Sequence, residues 1–128
     1  MALIIVSAKD REDAYNKVIK LKKKEAYVEE PKGLQNFIFD YKNEFKFYEV
    51  YWKLNPYGIS KIDNEEIKFI KIFAESVNRF LEENEKLENR IIEKYNLSMK
   101  KIRNYIDKLM KVLDLAEKNG DDIVGLGD

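Results

Sequence analysis

Apolar residues recur at a helical spacing through the second half of the chain, and no other feature restricts the possible folds as strongly. One stripe runs through residues 64–82 and consists of Ile67, Ile70, Phe73, Ala74, Val77, Phe80 and Leu81. A second stripe runs through residues 99–118 and consists of Ile102, Tyr105, Ile106, Leu109, Val112, Leu113 and Ala116. Because this period places side chains on one face of an α-helix, the sequence predicts two long amphipathic helices here.

The segment between these two helices predicts a break. A single helix over residues 64–95 would need an apolar residue near position 84 or 85, where the chain has Asn84 and Glu85. A short piece at residues 87–95 resumes the helical period, and Asn96-Leu97-Ser98 then separates it from the last helix. We therefore expect two helices over residues 64–95, although a long helix could tolerate one missed turn.

The first part of the chain predicts a strand followed by a helix. Residues 2–8 form a short apolar run of strand length, and Asp10 is a suitable N-cap for a helix that begins next. The end of that helix, where cations suit the helix dipole, carries Lys20, Lys22, Lys23 and Lys24. We interpret these lysines as a solvated helix end.

Residues 34–54 predict an aromatic β-hairpin. Two apolar segments, LQNFIFDY and FKFYEVYWKL, are separated by a polar loop at residues 42–44. This register collects six aromatic side chains on one face, namely Phe37, Phe39, Tyr41, Phe45, Phe47 and Tyr51. Such a face is typical of a core or a dimer surface, and an aromatic sheet can alternatively stack nucleic-acid bases.

The residue composition excludes several kinds of site. The 128 residues include 24 Lys and Arg and 24 Asp and Glu, with no Cys and no His. A disulfide, a thiolate metal site and a cysteine nucleophile are therefore impossible, and the commonest general base is missing. We expect a protein that is not an enzyme and needs no metal and no cofactor. Because no signal peptide and no apolar stretch of about 20 residues stands out, we also expect a cytoplasmic protein without a membrane partner.

Charge is unevenly distributed along the last helix. Residues 96–111 carry five basic side chains and one acidic side chain, whereas residues 112–128 carry one basic and five acidic. A helix dipole favours the opposite arrangement, because the N-terminus of a helix is partly positive. The pattern indicates that an anion meets the N-terminus of this helix, and nucleic acid is the anion that we expect.

The residues around Asn96 combine several features of one known motif. Asn96 can adopt the left-handed conformation of a tight turn, and Ser98 is a good N-cap for the helix that follows. Apolar residues stand at Ile91, Tyr95, Leu97, Ile102 and Tyr105. In these respects residues 90–109, RIIEKYNLSMKKIRNYIDKL, resemble the helix-turn-helix unit of DNA-binding proteins. The family usually has a small residue where this chain has Ile92, and that bulk could widen the packing between the two helices.

The resemblance implies that the helix beginning at Ser98 lies in the major groove of DNA. Lysine and arginine suit phosphates and guanine, and asparagine suits adenine. The expected DNA-binding residues are Ser98, Met99, Lys100, Lys101, Arg103 and Asn104, with Lys108 and Lys111 on the DNA backbone. The protein is then expected to be a small regulator that acts as a homodimer, because two recognition helices bind paired half-sites better than one.

These elements together indicate the α+β class. A β-α-β-β unit is expected over residues 1–58, a helical region with the helix-turn-helix-like pair over residues 59–120, and a flexible tail over residues 121–128. A sheet this small needs another surface to cover it. Either the helix at residues 64–82 or a second copy of the chain is expected to do so.

Two other functions stay open at this stage. The last two helices could form a plain antiparallel hairpin with solvated lysines, and the protein would then be an interaction module such as a small inhibitor or adaptor. Asp40 with Glu44 and Lys46 also resembles the carboxylate and Glu-x-Lys pair of metal-dependent nucleases. A cross-strand pair between Asp40 and Lys46 beside a polar loop explains those residues better.

Overall fold

The computed structural model describes residues 2–128 and contains one four-stranded antiparallel sheet, with strands contributed by both ends of the chain. The strands are β1 (Ile4–Ala8), β2 (Tyr27–Glu29), β3 (Ile59–Ile62) and β4 (Asp122–Leu126), and their order in the sheet is β2-β1-β4-β3. In the centre of the sheet, Ile5 of β1 is paired with Val28 on one side and with Gly125 on the other. The α+β class is therefore confirmed.

Six α-helices surround this sheet in the described part of the chain. They are α1 (Arg11–Tyr15), which continues as a π-helical turn (Asn16–Lys20), α2 (Leu34–Asp40), α3 (Tyr48–Tyr51), α4 (Ile67–Glu83), α5 (Glu88–Tyr95) and α6 (Met99–Asn119). The two long amphipathic helices predicted from the periodicity are α4 and α6. The predicted break is also confirmed, because α4 ends at Glu83 and a 3-10 turn (Glu85–Leu87) precedes α5.

The last helix, α6, lies against the sheet and supplies the main cover of one face. It contacts β1, β2 and β4, and α4 packs against α6. The main core joins residues from the whole chain, from Leu3 of the first strand segment to Ile123 of the last. Helix α1 covers the opposite face, where Val6, Ala14 and Val124 form a smaller cluster. The sheet is thus covered within one chain, mainly by α6 rather than by residues 64–82.

The predicted aromatic hairpin at residues 34–54 is wrong. The segment forms α2, a 3-10 turn (Lys42–Glu44) and α3. Leu34, Phe37, Ile38 and Tyr41 are spaced as on one face of a helix, and the first three of them are fully buried. The same residues fit a strand pattern equally well, so burial against α4 and α5 decided the conformation, as is common for short apolar runs. The six aromatic side chains consequently share no single face, and Phe39 remains about half exposed.

The predicted flexible tail at residues 121–128 is also wrong. Residues 122–126 form β4, which lies between β1 and β3 near the centre of the sheet. Ile123, Val124 and Leu126 are buried, which a strand achieves only through partners that are distant in sequence. The boundary drawn at residue 58 therefore does not separate two cores, because the sheet needs β4.

Candidate nucleic-acid interface

Helices α5 and α6 meet across a tight turn with the local geometry expected from the sequence. Asn96 has φ 54° and ψ 43°, in the left-handed region that asparagine tolerates better than most residues. Leu97 is buried, and Ser98 is the N-cap of α6, where its hydroxyl oxygen accepts a hydrogen bond of 3.1 Å from the backbone N–H of Lys101. The turn fixes the direction in which α6 leaves α5.

The apolar positions of the motif point inward, as the pattern requires. Ile91, Tyr95, Leu97, Ile102 and Tyr105 are all buried in the main core. Ile92 is 41 % exposed, so part of its bulk faces solvent. The chain forms the turn between α5 and α6 with this larger residue in place.

The basic residues predicted to contact DNA lie on the outside of α6. The exposed members of the set are Lys100, Lys101, Asn104, Lys108 and Lys111, and Arg103 is partly exposed. Ser98 is partly buried, with its hydroxyl engaged by the capping hydrogen bond. We call the six residues Lys100, Lys101, Arg103, Asn104, Lys108 and Lys111 the basic face of α6.

Met99 does not belong to this face, and its predicted position on the outer side of α6 is wrong. Its side chain is 4 % exposed and packs in the main core. The reason is the helical period, because Met99 lies three residues before Ile102 and seven before Ile106 and so shares their side of α6.

Charged side chains from other helices contact both ends of α6. At the N-terminus, a carboxylate oxygen of Glu88 accepts a hydrogen bond of 3.0 Å from the backbone N–H of Met99. At the C-terminal end, the ammonium group of Lys71 on α4 lies 2.5 Å from Asp114 and also contacts Glu117. The acidic end of α6 is therefore paired within the chain, whereas at the basic end Glu88 binds a backbone N–H and leaves the lysine charges unpaired.

The charges on the basic face itself remain without partners. Across residues 2–128 the ion pairs involve other cations, and none includes Lys100, Lys101, Arg103, Lys108 or Lys111. Asp107 is the single acidic residue among them in sequence and is exposed. A concentration of unpaired lysines on a neutral chain attracts polyanions.

A groove runs beside this face, between α6 and the segment that contains β2. Its volume is about 590 Å³, and α6 contributes Lys101, Asn104, Tyr105, Lys108, Lys111 and Val112. The opposite wall contributes Lys24, Glu25, Tyr27, Val28, Glu29 and Pro31. The sequence predicts that Lys24 lies at a solvated helix end, whereas it begins a 3-10 turn (Lys24–Ala26) in the structure. Its position across from α6 depends on the pairing of β2 with β1, which no local pattern reveals.

A buried hydrogen-bond network holds the floor of this groove. The Tyr51 hydroxyl donates to the Glu30 carboxylate, and it lies 2.6 Å from the hydroxyl of Tyr105, which lines the groove. The Nε2 group of Gln35 donates a second hydrogen bond, of 2.6 Å, to Glu30. Burial raises the pKa of Glu30, although both hydrogen bonds favour its charged form. Burial, with the neighbouring Glu30 charge, raises the pKa of Tyr51 well above its ordinary value.

The raised pKa of Glu30 predicts how stability depends on pH. The folded state holds the proton of this carboxyl more tightly than the unfolded state, so the free energy of unfolding falls as pH rises through the interval between the two pKa values. Glu30→Gln keeps an acceptor for Tyr51 and cannot ionise. We expect the variant to gain stability relative to the unmodified protein as the pH is raised from about 4 to about 7. Urea unfolding of both proteins across this range measures the difference, and parallel pH profiles would contradict the expectation.

Asp40, the carboxylate of the nuclease pattern, has a structural role. Its carboxylate accepts a hydrogen bond of 2.6 Å from the Tyr95 hydroxyl and lies 3.1 Å from the ammonium group of Lys94. These contacts, the Tyr95 hydrogen bond first, lower the pKa of Asp40. The alternative cross-strand pair with Lys46 is not formed, because the hairpin is absent. Within residues 2–128, no cluster of acidic side chains is arranged to hold a metal ion.

Comparisons with other proteins identified no relative of this chain. Searches of protein-family models, curated proteins and solved structures found no match to the chain. None of the helices formed by residues 2–128 combines the length and the apolar composition needed to cross a bilayer.

Proposed function

We propose that this protein binds DNA through the basic face of α6. The observation that carries the proposal is the set of four exposed lysines and one partly exposed arginine that have no ion-pair partner among residues 2–128. Phosphate contacts supply most of the affinity of non-specific DNA binding, and they need cations that are free to release counterions. Asn104, exposed on the same face, adds a side chain that can hydrogen-bond a base edge.

The α5–α6 pair also supports this proposal through its local geometry. The left-handed turn at Asn96 and the N-cap at Ser98 begin α6 as the recognition helix of a helix-turn-helix unit begins. A plain helical hairpin could use the same turn, so the geometry is compatible with the proposal without requiring it.

The proposal includes the role of a small cytoplasmic regulator that acts as a homodimer. Two basic faces in one assembly would multiply the phosphate contacts and raise the affinity through avidity. Strand β3 is at the edge of the sheet and pairs only with β4 within the described chain, so a second copy could add to it. Sedimentation or light scattering of the protein, with and without DNA, measures this part of the proposal.

Fluorescence anisotropy with a labelled mixed-sequence DNA, at two salt concentrations, tests the DNA-binding proposal. The key variant replaces Lys100, Lys101 and Arg103 with alanine. Loss of three cations should weaken binding about tenfold or more at low salt and reduce the steepness of the salt dependence. Lys100 and Lys101 are exposed and Arg103 is partly exposed, so the variant should remain folded.

A matched control variant removes the same charges elsewhere. Lys20, Arg79 and Lys118 are exposed, have no ion-pair partner in residues 2–128 and lie outside the basic face. Replacing all three with alanine gives the control the same net charge as the Lys100/Lys101/Arg103 variant. The control protein should nevertheless retain most of the DNA affinity. Equal losses in the two triple variants, or no binding by the unmodified folded protein at low salt, would refute the role of this face.

One surface favours the alternative of a protein-interaction module. A second cleft of about 770 Å³ is lined by Glu30 and bordered by Phe39, Trp52 and Tyr57. Phe39 is 49 % and Tyr57 71 % exposed, and exposed aromatic side chains are frequent anchors in protein interfaces. If the protein is an interaction module, a protein partner should still bind the Lys100/Lys101/Arg103 variant. The same partner should no longer bind the Tyr57→Ser variant.

A further inference from the structure

The groove beside α6 places cations on two facing walls. Lys101, Lys108 and Lys111 lie on the helix side, and Lys24 lies on the side of the β2 segment. All four are exposed, and none has an ion-pair partner among residues 2–128. Two glutamates, Glu25 and Glu29, also line the groove, so its formal charge is +2 in a chain whose net charge is zero.

We infer that this groove holds a single strand of DNA. This inference rests on the proposed function and names the form of DNA that the protein binds. The first reason is the wall opposite α6. A helix with its side chains is about 10–12 Å wide, which already fills a major groove of about 12 Å. The groove lies between α6 and residues 24–31, so a duplex that received α6 in its major groove would meet residues 24–31 on the side of Lys101, Lys108 and Lys111.

The second reason is the length and chemistry of the groove. Lys101 and Lys111 are ten residues apart, about 15 Å along the helix axis, which corresponds to about four nucleotides of a stacked strand. Val28 and Pro31 add apolar surface to the opposite wall, whereas the side chain of Tyr27 packs on the other face of the sheet, against the cluster beneath α1. Cations that follow a groove bind the backbone of a single strand without sequence preference.

The third reason is that the floor of the groove is rigid. Tyr105 lies on the floor with its hydroxyl directed inward to Tyr51, which is itself bound to Glu30. The separation of the two walls is therefore set by buried contacts that form before any ligand arrives. Preorganisation of this kind reduces the entropy that binding costs.

The test compares a labelled single-stranded oligonucleotide with the duplex of the same sequence. The groove variant is Lys24→Ala with Lys108→Ala, and the control variant is Lys20→Ala with Lys118→Ala, which has the same net charge. We expect the unmodified protein to bind the single strand more tightly than the duplex. The groove variant should bind the single strand about tenfold more weakly, with a salt slope smaller by about 1.4, while the control stays near the unmodified protein.

The outcomes separate this inference from the proposed function. Tighter binding of the duplex, or equal affinities of the groove and control variants for the single strand, would overturn the groove as a strand site. The basic face would still be the DNA site if the Lys100/Lys101/Arg103 variant lost duplex binding. Failure of both oligonucleotides to bind the folded protein at low salt would overturn both proposals. Circular dichroism of each variant establishes that it is folded.

Discussion

Replacing Val124 with aspartate should unfold the protein or lower its free energy of unfolding by about 4 kcal/mol or more. Val124 is almost completely buried and is paired with Val6 in β1 and with Lys61 in β3. A carboxylate at this position would lose its hydration in the small cluster beneath α1, where no cation among the cluster residues compensates it. Thermal and urea unfolding followed by circular dichroism measure the effect.

The control for this prediction is Ile59→Asp, the same kind of change on the edge strand β3. Ile59 is 43 % exposed, so the new carboxylate stays in water and should change stability by less than about 1 kcal/mol. The milder Val124→Ala, which remains folded, should still cost about 2 kcal/mol through the cavity that it leaves. Unchanged unfolding curves for both Val124 variants would mean that residues 122–126 do not form the inner strand.

Gly33→Ala should destabilise the protein by about 3 kcal/mol or more. Gly33 precedes the first turn of α2 and has φ +93°, a backbone conformation that residues with a side chain rarely adopt. A Cβ atom there would also clash with the backbone carbonyl oxygen of Tyr95, the last residue of α5. Backbone atoms cannot rotate away as a side chain can, so α2 and α5 would have to separate.

Gly120→Ala separates the two causes in this prediction. Gly120 also has a positive φ, +69°, but a Cβ atom there would meet nothing within 4 Å. Its replacement should therefore cost only the conformational part, about 1 kcal/mol. Equal costs at the two glycines would show that the close approach of Gly33 to α5 contributes nothing. Because α5 leads directly into the Asn96 turn, Gly33→Ala should also weaken DNA binding, if the basic face is the DNA site.

The features of the candidate site that the sequence determined are local ones. The stripe of α6 and its cap at Ser98 depend on side chains within a few residues of each other, through the helical period and the hydrogen bond to Lys101. Met99 followed the same rule, since the spacing that buries Ile102 also buries Met99. The outward direction of the remaining basic residues follows from the same period.

Only the tertiary structure decided the rest, because the deciding contacts join residues that are far apart in sequence. Leu34 to Tyr51 suit a helix or a strand equally, and the space between α4 and α5 selected helices. Residues 122–126 form a strand because they pair with the edge of β1, which lies more than a hundred residues earlier in the chain. The position of Lys24 opposite α6 has the same origin, since it follows from the pairing of β2 with β1 and from the packing of α6 on the sheet. A helical period and a cap are properties of one segment, whereas strand pairing and a groove between two segments exist only once the chain has folded.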